Sequence, residues 1–78
     1  MSVVSLYVGR DCHLCEIARS ALERLALIEP FTVEEIDITG VPELEAAYRE
    51  WLPVVEVAGE RVSVYRVEEA PLLERLRA

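Results

Sequence analysis

The sequence predicts an α/β fold in which a four-stranded mixed sheet is covered by helices on both faces. Three observations support this prediction. A largely apolar run over residues 3–8 is followed by apolar residues at helical spacing, and a second strand and helix come after it. A turn at Gly59 joins two further strands, and a leucine stripe closes the chain. The order β-α-β-α-β-β-α fits one domain over residues 1–78.

The first strand and the first helix meet at two cysteines. An apolar run that stops at Gly9 is typical of a buried strand. We expect the following helix to hold Cys12 in its first turn, with Asp11 as a candidate cap, and to end near Pro30. The residues that form its apolar stripe are Leu14, Ala18, Leu22 and Leu25.

The second strand and helix are predicted from β-branched residues and from a proline. Residues 31–38 are rich in β-branched side chains, and the neighbouring glutamates Glu34 and Glu35 place this strand at a sheet edge. Pro42 suits the first turn of a helix over residues 42–52. A right-handed crossover makes the first two strands parallel.

The last third of the chain predicts a hairpin and a helix. Strands over residues 54–57 and 61–66 flank the turn at Gly59, so they must be antiparallel. The closing helix covers residues 69–77. We expect the first and third helices on one face of the sheet and the second helix on the other. The aromatic residues Tyr7, Tyr48, Trp51 and Tyr65 are expected to pack in strands, in the core or at its rim.

Composition limits the classes of partner. The chain has a formal net charge of −7 and no basic cluster, so we expect no nucleic-acid partner. No apolar run approaches 18 residues, so we expect no membrane span, and the absence of a signal-like N-terminus predicts a cytoplasmic protein. We expect a monomer.

The two cysteines have the C-x-x-C spacing of a redox or metal pair. A thiolate at the start of a helix is stabilised by backbone N–H groups and by the helix dipole, so Cys12 is the candidate nucleophile. Cys15 lies one turn further along the same face, where it is more shielded and can resolve a mixed disulfide on Cys12. A protonated His13 would lower the pKa of Cys12 further.

Taken together, Cys12-His13-Leu14-Cys15 after a first strand and Leu52-Pro53-Val54 before a hairpin resemble the small glutaredoxin-like proteins of the thioredoxin superfamily. The resemblance covers essentially the whole chain and implies a minimal thioredoxin/glutaredoxin-like fold. It also implies a cis-proline at Pro53 that faces the cysteines, with the backbone of Leu52 pairing with a peptide or with glutathione.

The resemblance also suggests how a substrate is held. Arg10 stands where glutaredoxins commonly have a lysine, and Arg10 or Arg49 would meet a glutathione carboxylate. The family's Gly-Gly pair before the last helix is replaced here by Val67-Glu68-Glu69, so glutathione as the physiological reductant stays open.

We therefore predict a thiol–disulfide oxidoreductase that passes two electrons from its dithiol to protein or glutathione mixed disulfides. We expect no metal and no bound cofactor, with glutathione left open as co-substrate. The electron donor is either glutathione or a reductase.

Two alternatives use the same cysteines. A Cu(I) carrier of the copper-chaperone type also has C-x-x-C between a first strand and a first helix, but its chain finishes on a strand. An iron–sulfur cluster shared by two subunits would need ligands beyond one chain's two thiolates. A redox-inert interaction domain is the third possibility.

Overall fold

The computed structural model describes residues 2–78 and has the element order that the sequence predicts. The chain alternates strands and helices up to a hairpin and ends on a helix. The elements are β1 (Val3–Val8), α1 (His13–Ala26), β2 (Thr32–Asp37), α2 (Pro42–Tyr48), a 3-10 turn (Arg49–Trp51), β3 (Val54–Val57), β4 (Glu60–Val64) and α3 (Glu69–Arg77). The helical finish differs from the strand that ends a domain of the copper-chaperone type.

The four strands form one mixed sheet in the order β2-β1-β3-β4. β1 pairs in parallel with β2, as the crossover rule predicts, and antiparallel with β3. β2 lies at an edge, so its acidic side chains reach water and the edge-strand prediction is confirmed. The cysteine motif follows β1, a central strand with neighbours on both sides.

The first face of the sheet carries the apolar core. Alternate residues of β1 are fully buried there, and they pack with α1 and α3. This core explains why α1 has an apolar stripe: each buried position of the stripe faces the sheet. Its members include Val4, Leu6, Val8, Cys15, Ala18, Leu22, Leu25, Val55, Val57 and Leu72.

The second face is covered by α2 through a polar and aromatic layer. Tyr7, which alternates with the buried residues of β1, stacks on Tyr48 of α2 with ring centroids 4.0 Å apart. The Tyr48 hydroxyl donates a 2.9 Å hydrogen bond to Oε2 of Glu56 on β3, and Glu56 is only 7% exposed. Arg61 lies over the Tyr48 ring at 5.4 Å. Helices therefore cover both faces, as predicted.

The first helix is shorter at its start than the sequence predicts. Cys12 is the N-cap of α1 with extended φ and ψ of −104° and 99°, and the helix begins at His13. The prediction that Cys12 lies inside the first turn is wrong by one position, and Asp11 is not the cap. Asp11 has a φ of 54°, in the left-handed region, whereas an N-cap residue is extended.

Other helix and strand boundaries also differ from the predicted ones. α1 ends at Ala26, because the N–H groups of Leu27 and Ile28 bind carbonyls three residues back and tighten the chain before Pro30. The α-helical part of the second helix ends at Tyr48, and a 3-10 turn follows it. β4 ends at Val64, because Tyr65 has a φ of 70°. Within residues 2–78, none of the helices is long and apolar enough to cross a membrane.

Candidate redox-active site

The site lies at the carboxyl end of β1, where a short loop leads into α1. β1 ends at Val8, and the loop over residues 9–11 carries the chain to Cys12. In sheets of this kind the ends of central strands are where ligands and reactive groups collect. The first cysteine is therefore held at a fixed sheet position by its strand and at a helix start by its cap.

The two cysteine sulfurs are bonded to each other. Their Cα atoms are 5.2 Å apart, and the backbone N–H of Cys15 donates a 3.2 Å hydrogen bond to Sγ of Cys12. Cys12 is partly exposed, whereas Cys15 is 2% exposed and belongs to the apolar core. The difference in burial predicted from the sequence is confirmed: an incoming group reaches Cys12 first.

The backbone around Cys12 favours a sulfur anion. Cys12 caps α1, so its sulfur faces the N–H groups that have no partner inside the helix and the positive end of the helix dipole. In the reduced protein the same N–H groups stabilise a thiolate. Nδ1 of His13 lies 4.0 Å from Oε1 of Glu16, and both side chains are largely exposed.

A second segment meets this loop from β3. The register pairs Tyr7 with Val54, so Pro53 lies just beyond the paired residues, at the same end of the sheet as Gly9. The Leu52–Pro53 peptide bond is cis, and Pro53 is buried. Gly9 lies against Leu52, since a Cβ atom on Gly9 would be 2.6 Å from Leu52 Cδ1. Two segments some forty residues apart thus contact each other beside the cysteine loop.

A cavity of about 330 Å³ opens between these segments and α2. Its lining includes Arg10, Arg49, Glu45 and Leu52. Within residues 2–78 neither arginine forms an ion pair, whereas Glu45 accepts a 3.0 Å hydrogen bond from the Gly40 N–H. The lining of the cavity therefore combines two guanidinium groups with one carboxylate.

The Asp37 carboxylate, which precedes the cavity residue Ile38, is affected by the positive charge of Arg10. Hydrogen bonds from Thr39 lower the pKa of Asp37, and the positive charge of Arg10 lowers it further. Asp37 therefore stays ionised near the cavity.

The chain also matches a known protein family over almost its whole length. The family model described as "Glutaredoxin-like domain (DUF836)" matches residues 3–77. The chain belongs to this glutaredoxin-like domain family. No curated protein sequence matches it significantly.

Solved structures agree with the fold of this glutaredoxin-like domain. The solution structure of protein Ne2328 from Nitrosomonas europaea has a TM-score of 0.84 at 24% identity and covers 95% of this chain and 89% of that one. The crystal structure of chloroplastic thioredoxin z has a TM-score of 0.73 at 21% identity, covering 99% and 76%. A malarial protein has a TM-score of 0.69 at 12% identity, covering 99% and 94%. These likenesses establish a thioredoxin-like fold.

The glutaredoxin-like domain brings most of the predicted site residues to one end of its sheet. Cys12 and Cys15 are bonded there, Arg10 and Leu52 line the cavity, and Pro53 follows Leu52. His13 is exposed and has Glu16 as its neighbour.

Two features were missed from the sequence. Tyr65 was expected to pack in a strand, yet it is exposed and its backbone hydrogen bonds to Pro53. Gly9 follows the end of β1, as the sequence predicts, but it also makes room for Leu52, which the sequence does not indicate. A glycine directly before a reactive loop is the signal that could have indicated the contact.

Proposed function

We propose that this domain is a thiol–disulfide oxidoreductase in which Cys12 is the nucleophile and Cys15 the resolving thiol. The observation that supports it best is the bonded pair itself, with the partly exposed Cys12 at a helix N-cap and the buried Cys15 beneath it. This arrangement stabilises an attacking thiolate and keeps the second thiol within reach of the first.

The proposed exchange balances without a metal or an organic cofactor. The Cys12 thiolate attacks one sulfur of a substrate disulfide, whose S–S bond breaks and whose other half leaves as a thiol after taking a proton. The Cys15 thiolate then attacks Sγ of Cys12, forming the bond between Cys12 and Cys15 and releasing the second substrate thiol. Two electrons pass from the dithiol to the substrate, and a thiol donor returns the domain to its reduced form.

The proposed substrate is a disulfide that carries a carboxylate, such as a glutathione mixed disulfide or a protein disulfide with an acidic neighbour. Arg10 and Arg49 line the cavity beside the cysteine loop without an ion pair within residues 2–78, which supports this assignment. In the proposal, Leu52 and Pro53 hold the substrate chain next to Cys12. Glutathione or a reductase supplies the electrons, and such chemistry belongs in a reducing compartment such as the cytoplasm.

Two variants test the cysteine roles. Cys12→Ser should abolish reduction of a glutathione mixed disulfide, because no nucleophile remains. Cys15→Ser should still attack and then stop, so intact-mass spectrometry should find a covalent adduct on Cys12. Full activity in Cys12→Ser would contradict the proposal. Retained turnover in Cys15→Ser would restrict it to a one-cysteine mechanism.

Metal measurements distinguish the alternatives that use the same thiolates. Visible absorbance of the purified protein would favour an iron–sulfur cluster over exchange chemistry. A Cu(I) affinity well above that of a generic dithiol peptide would favour a copper carrier. For the exchange reaction, turnover of the oxidised domain with glutathione against turnover with a thioredoxin reductase identifies the donor.

A further inference from the structure

Two exposed aromatic rings flank the Leu52–Pro53 segment. Trp51 is 41% exposed and Tyr65 is 46% exposed, and their ring centroids are 6.1 Å apart with planes inclined by 42°. Trp51 directly precedes Leu52, and the Tyr65 N–H donates a 2.8 Å hydrogen bond to the Pro53 carbonyl. We call Trp51 and Tyr65 the aromatic pair. The pair is continuous with the segment that is proposed to hold the substrate chain.

Tyr65 has an unfavourable backbone conformation and is held in it by hydrogen bonds. Its φ of 70° lies in the left-handed region, which costs a non-glycine residue free energy. Its N–H contacts the Trp51 carbonyl at 3.3 Å as well, and its hydroxyl donates a 3.1 Å hydrogen bond to the Glu50 carbonyl. Glycine would adopt this backbone without cost, so the tyrosine ring itself is what needs an explanation.

In the part of the chain that the structure describes, neither ring of the pair has an arginine over its face. Within residues 2–78, the arginine that lies over an aromatic ring is Arg61, and its ring is Tyr48. Arg66, next to Tyr65, is paired with Glu68 at 2.9 Å.

The formal charges next to the pair balance, because Arg49 stands beside Glu50 and Arg66 is paired with Glu68, but the chain as a whole is negative. The Glu50 side chain is exposed, forms no ion pair with any described residue and directly precedes Trp51. The formal charge of the whole chain is −7, which attracts cationic partners and speeds their association. A cation is therefore the side chain that best complements these rings, because aromatic faces attract Lys and Arg.

We propose that the aromatic pair, together with Glu50, binds a Lys or Arg side chain next to the disulfide cysteine of a target polypeptide. The proposal rests on the exchange function above and specifies its substrate further. One basic residue beside the reacting cysteine is held on the two rings, while the backbone on either side of that cysteine lies along Leu52 and Pro53.

The test uses short blocked peptides whose single cysteine is capped as a 2-pyridyl disulfide. Three peptides differ only in the residue beside the cysteine, which is Lys, norleucine or Glu, and each is made with that residue before or after the cysteine. Reduced full-length protein attacks the cysteine sulfur, the S–S bond breaks, and 2-thiopyridone is released and followed by stopped-flow absorbance. We expect the Lys peptide of one orientation to react about two- to fivefold faster than its norleucine counterpart, the size of an exposed cation–π contact.

The variants separate the rings from general electrostatics, because none of them alters the net charge. Tyr65→Gly removes the ring at a backbone angle that glycine prefers, and Trp51→Leu keeps an apolar side chain without an aromatic face. Both should reduce the Lys-to-norleucine rate ratio to about 1. Tyr65→Phe and Trp51→Phe should retain the ratio, since both keep an aromatic face. Leu27→Ala, at a residue 87% exposed after α1, is the matched surface control and should also retain it.

The outcomes distinguish a failure of this inference from a failure of the proposed function. No exchange with any peptide would remove the proposed function itself. Exchange at equal rates for Lys and norleucine, or a preference for the Lys peptide that survives both Tyr65→Gly and Trp51→Leu, would overturn the aromatic-pair proposal and leave the function standing.

Discussion

Gly9 lies directly against Leu52: a Cβ atom added to Gly9 would be 2.6 Å from Leu52 Cδ1. Real Cβ atoms do not approach this closely, so any larger residue at position 9 forces Leu52 to move. Gly9 opens the loop that leads to Cys12, and Leu52 precedes Pro53. The contact therefore couples the cysteine loop to the segment proposed to hold substrate.

Gly9→Ala should lower kcat/KM for a glutathione mixed disulfide by about tenfold, because displacement of Leu52 misaligns the substrate. The free energy of unfolding should decrease by less than the usual cost of overpacking a core, which is about 1–3 kcal/mol, because the far end of the Leu52 side chain can shift. Steady-state kinetics and urea denaturation measure the two effects.

A double mutant checks the cause. In a Leu52→Ala background the added methyl group meets no Cδ1, so Gly9→Ala should have little further effect on kcat/KM. Gly59→Ala is the glycine control: its φ of 79° makes the change destabilising, but the hairpin tip is remote from the cysteines. Additive effects of Gly9→Ala and Leu52→Ala would contradict the proposed coupling.

Tyr48→Phe should destabilise the domain by about 1–3 kcal/mol, because it removes the hydroxyl that donates to Glu56 and leaves a buried carboxylate without that partner. The stacking on Tyr7 is kept, so the loss reports the hydrogen bond. Tyr65→Phe is the matched control, because its hydroxyl bonds a carbonyl at an exposed position and should matter less. Equal losses in the two variants would contradict a special role for the buried bond.

The ion pair between α1 and β2 should make stability depend on pH. Arg19 contacts both carboxylate oxygens of Glu35 at 2.7 and 2.9 Å, and its hydrogen bonds lower the pKa of Glu35. A glutamate whose pKa is lowered in the folded state stabilises the fold at pH values above its unfolded pKa of about 4.3. This stabilisation is lost as the pH falls through the folded-state pKa.

Arg19→Met should therefore be less stable than wild type at pH 7, and the difference should shrink as the pH falls below about 4.3, the unfolded pKa of a glutamate. Arg24→Met is the control from the same helix, because Arg24 forms no ion pair within residues 2–78. Urea denaturation at several pH values measures both. A difference for Arg19→Met that is constant across this range would contradict the ion-pair explanation.

Ala58→Asn should raise the free energy of unfolding by about 0.5–1 kcal/mol, because asparagine tolerates the left-handed backbone that an alanine does not. Ala58 has a φ of 53° and forms a two-residue turn with Gly59 between the paired residues Val57 and Glu60. Asn-Gly is a preferred sequence for such turns. Ala47→Asn, in the exposed part of α2, should have the opposite effect because it lowers helix propensity. Thermal unfolding of both variants gives the sign directly.

Much of the fold was predictable from local patterns. The apolar run of β1, the stripe of α1 and the glycine turn at Gly59 each determine an element without reference to distant residues. The acidic pair Glu34 and Glu35 also indicated the edge strand, since two consecutive side chains point to opposite faces of the sheet and an edge strand lets both reach water.

The errors concentrate where a backbone angle is set by distant contacts. Tyr65 is not a glycine, yet it has a positive φ that its local sequence does not indicate. Tyr65 is held by hydrogen bonds to Pro53, Trp51 and Glu50, which lie more than ten residues earlier. Propensity favours a strand residue there, and these tertiary hydrogen bonds override it.

The sequence by itself determined the order of the elements and the placement of Cys12 and Cys15 at a strand-to-helix junction, because hydrophobic periodicity and cysteine spacing are local properties. Only the tertiary structure decided that Arg10 shares a cavity with Arg49 and that Gly9 makes room for Leu52. The physical reason is strand register: the pairing of Tyr7 with Val54 brings together segments some forty residues apart, and no short stretch of chain encodes which side chains then meet.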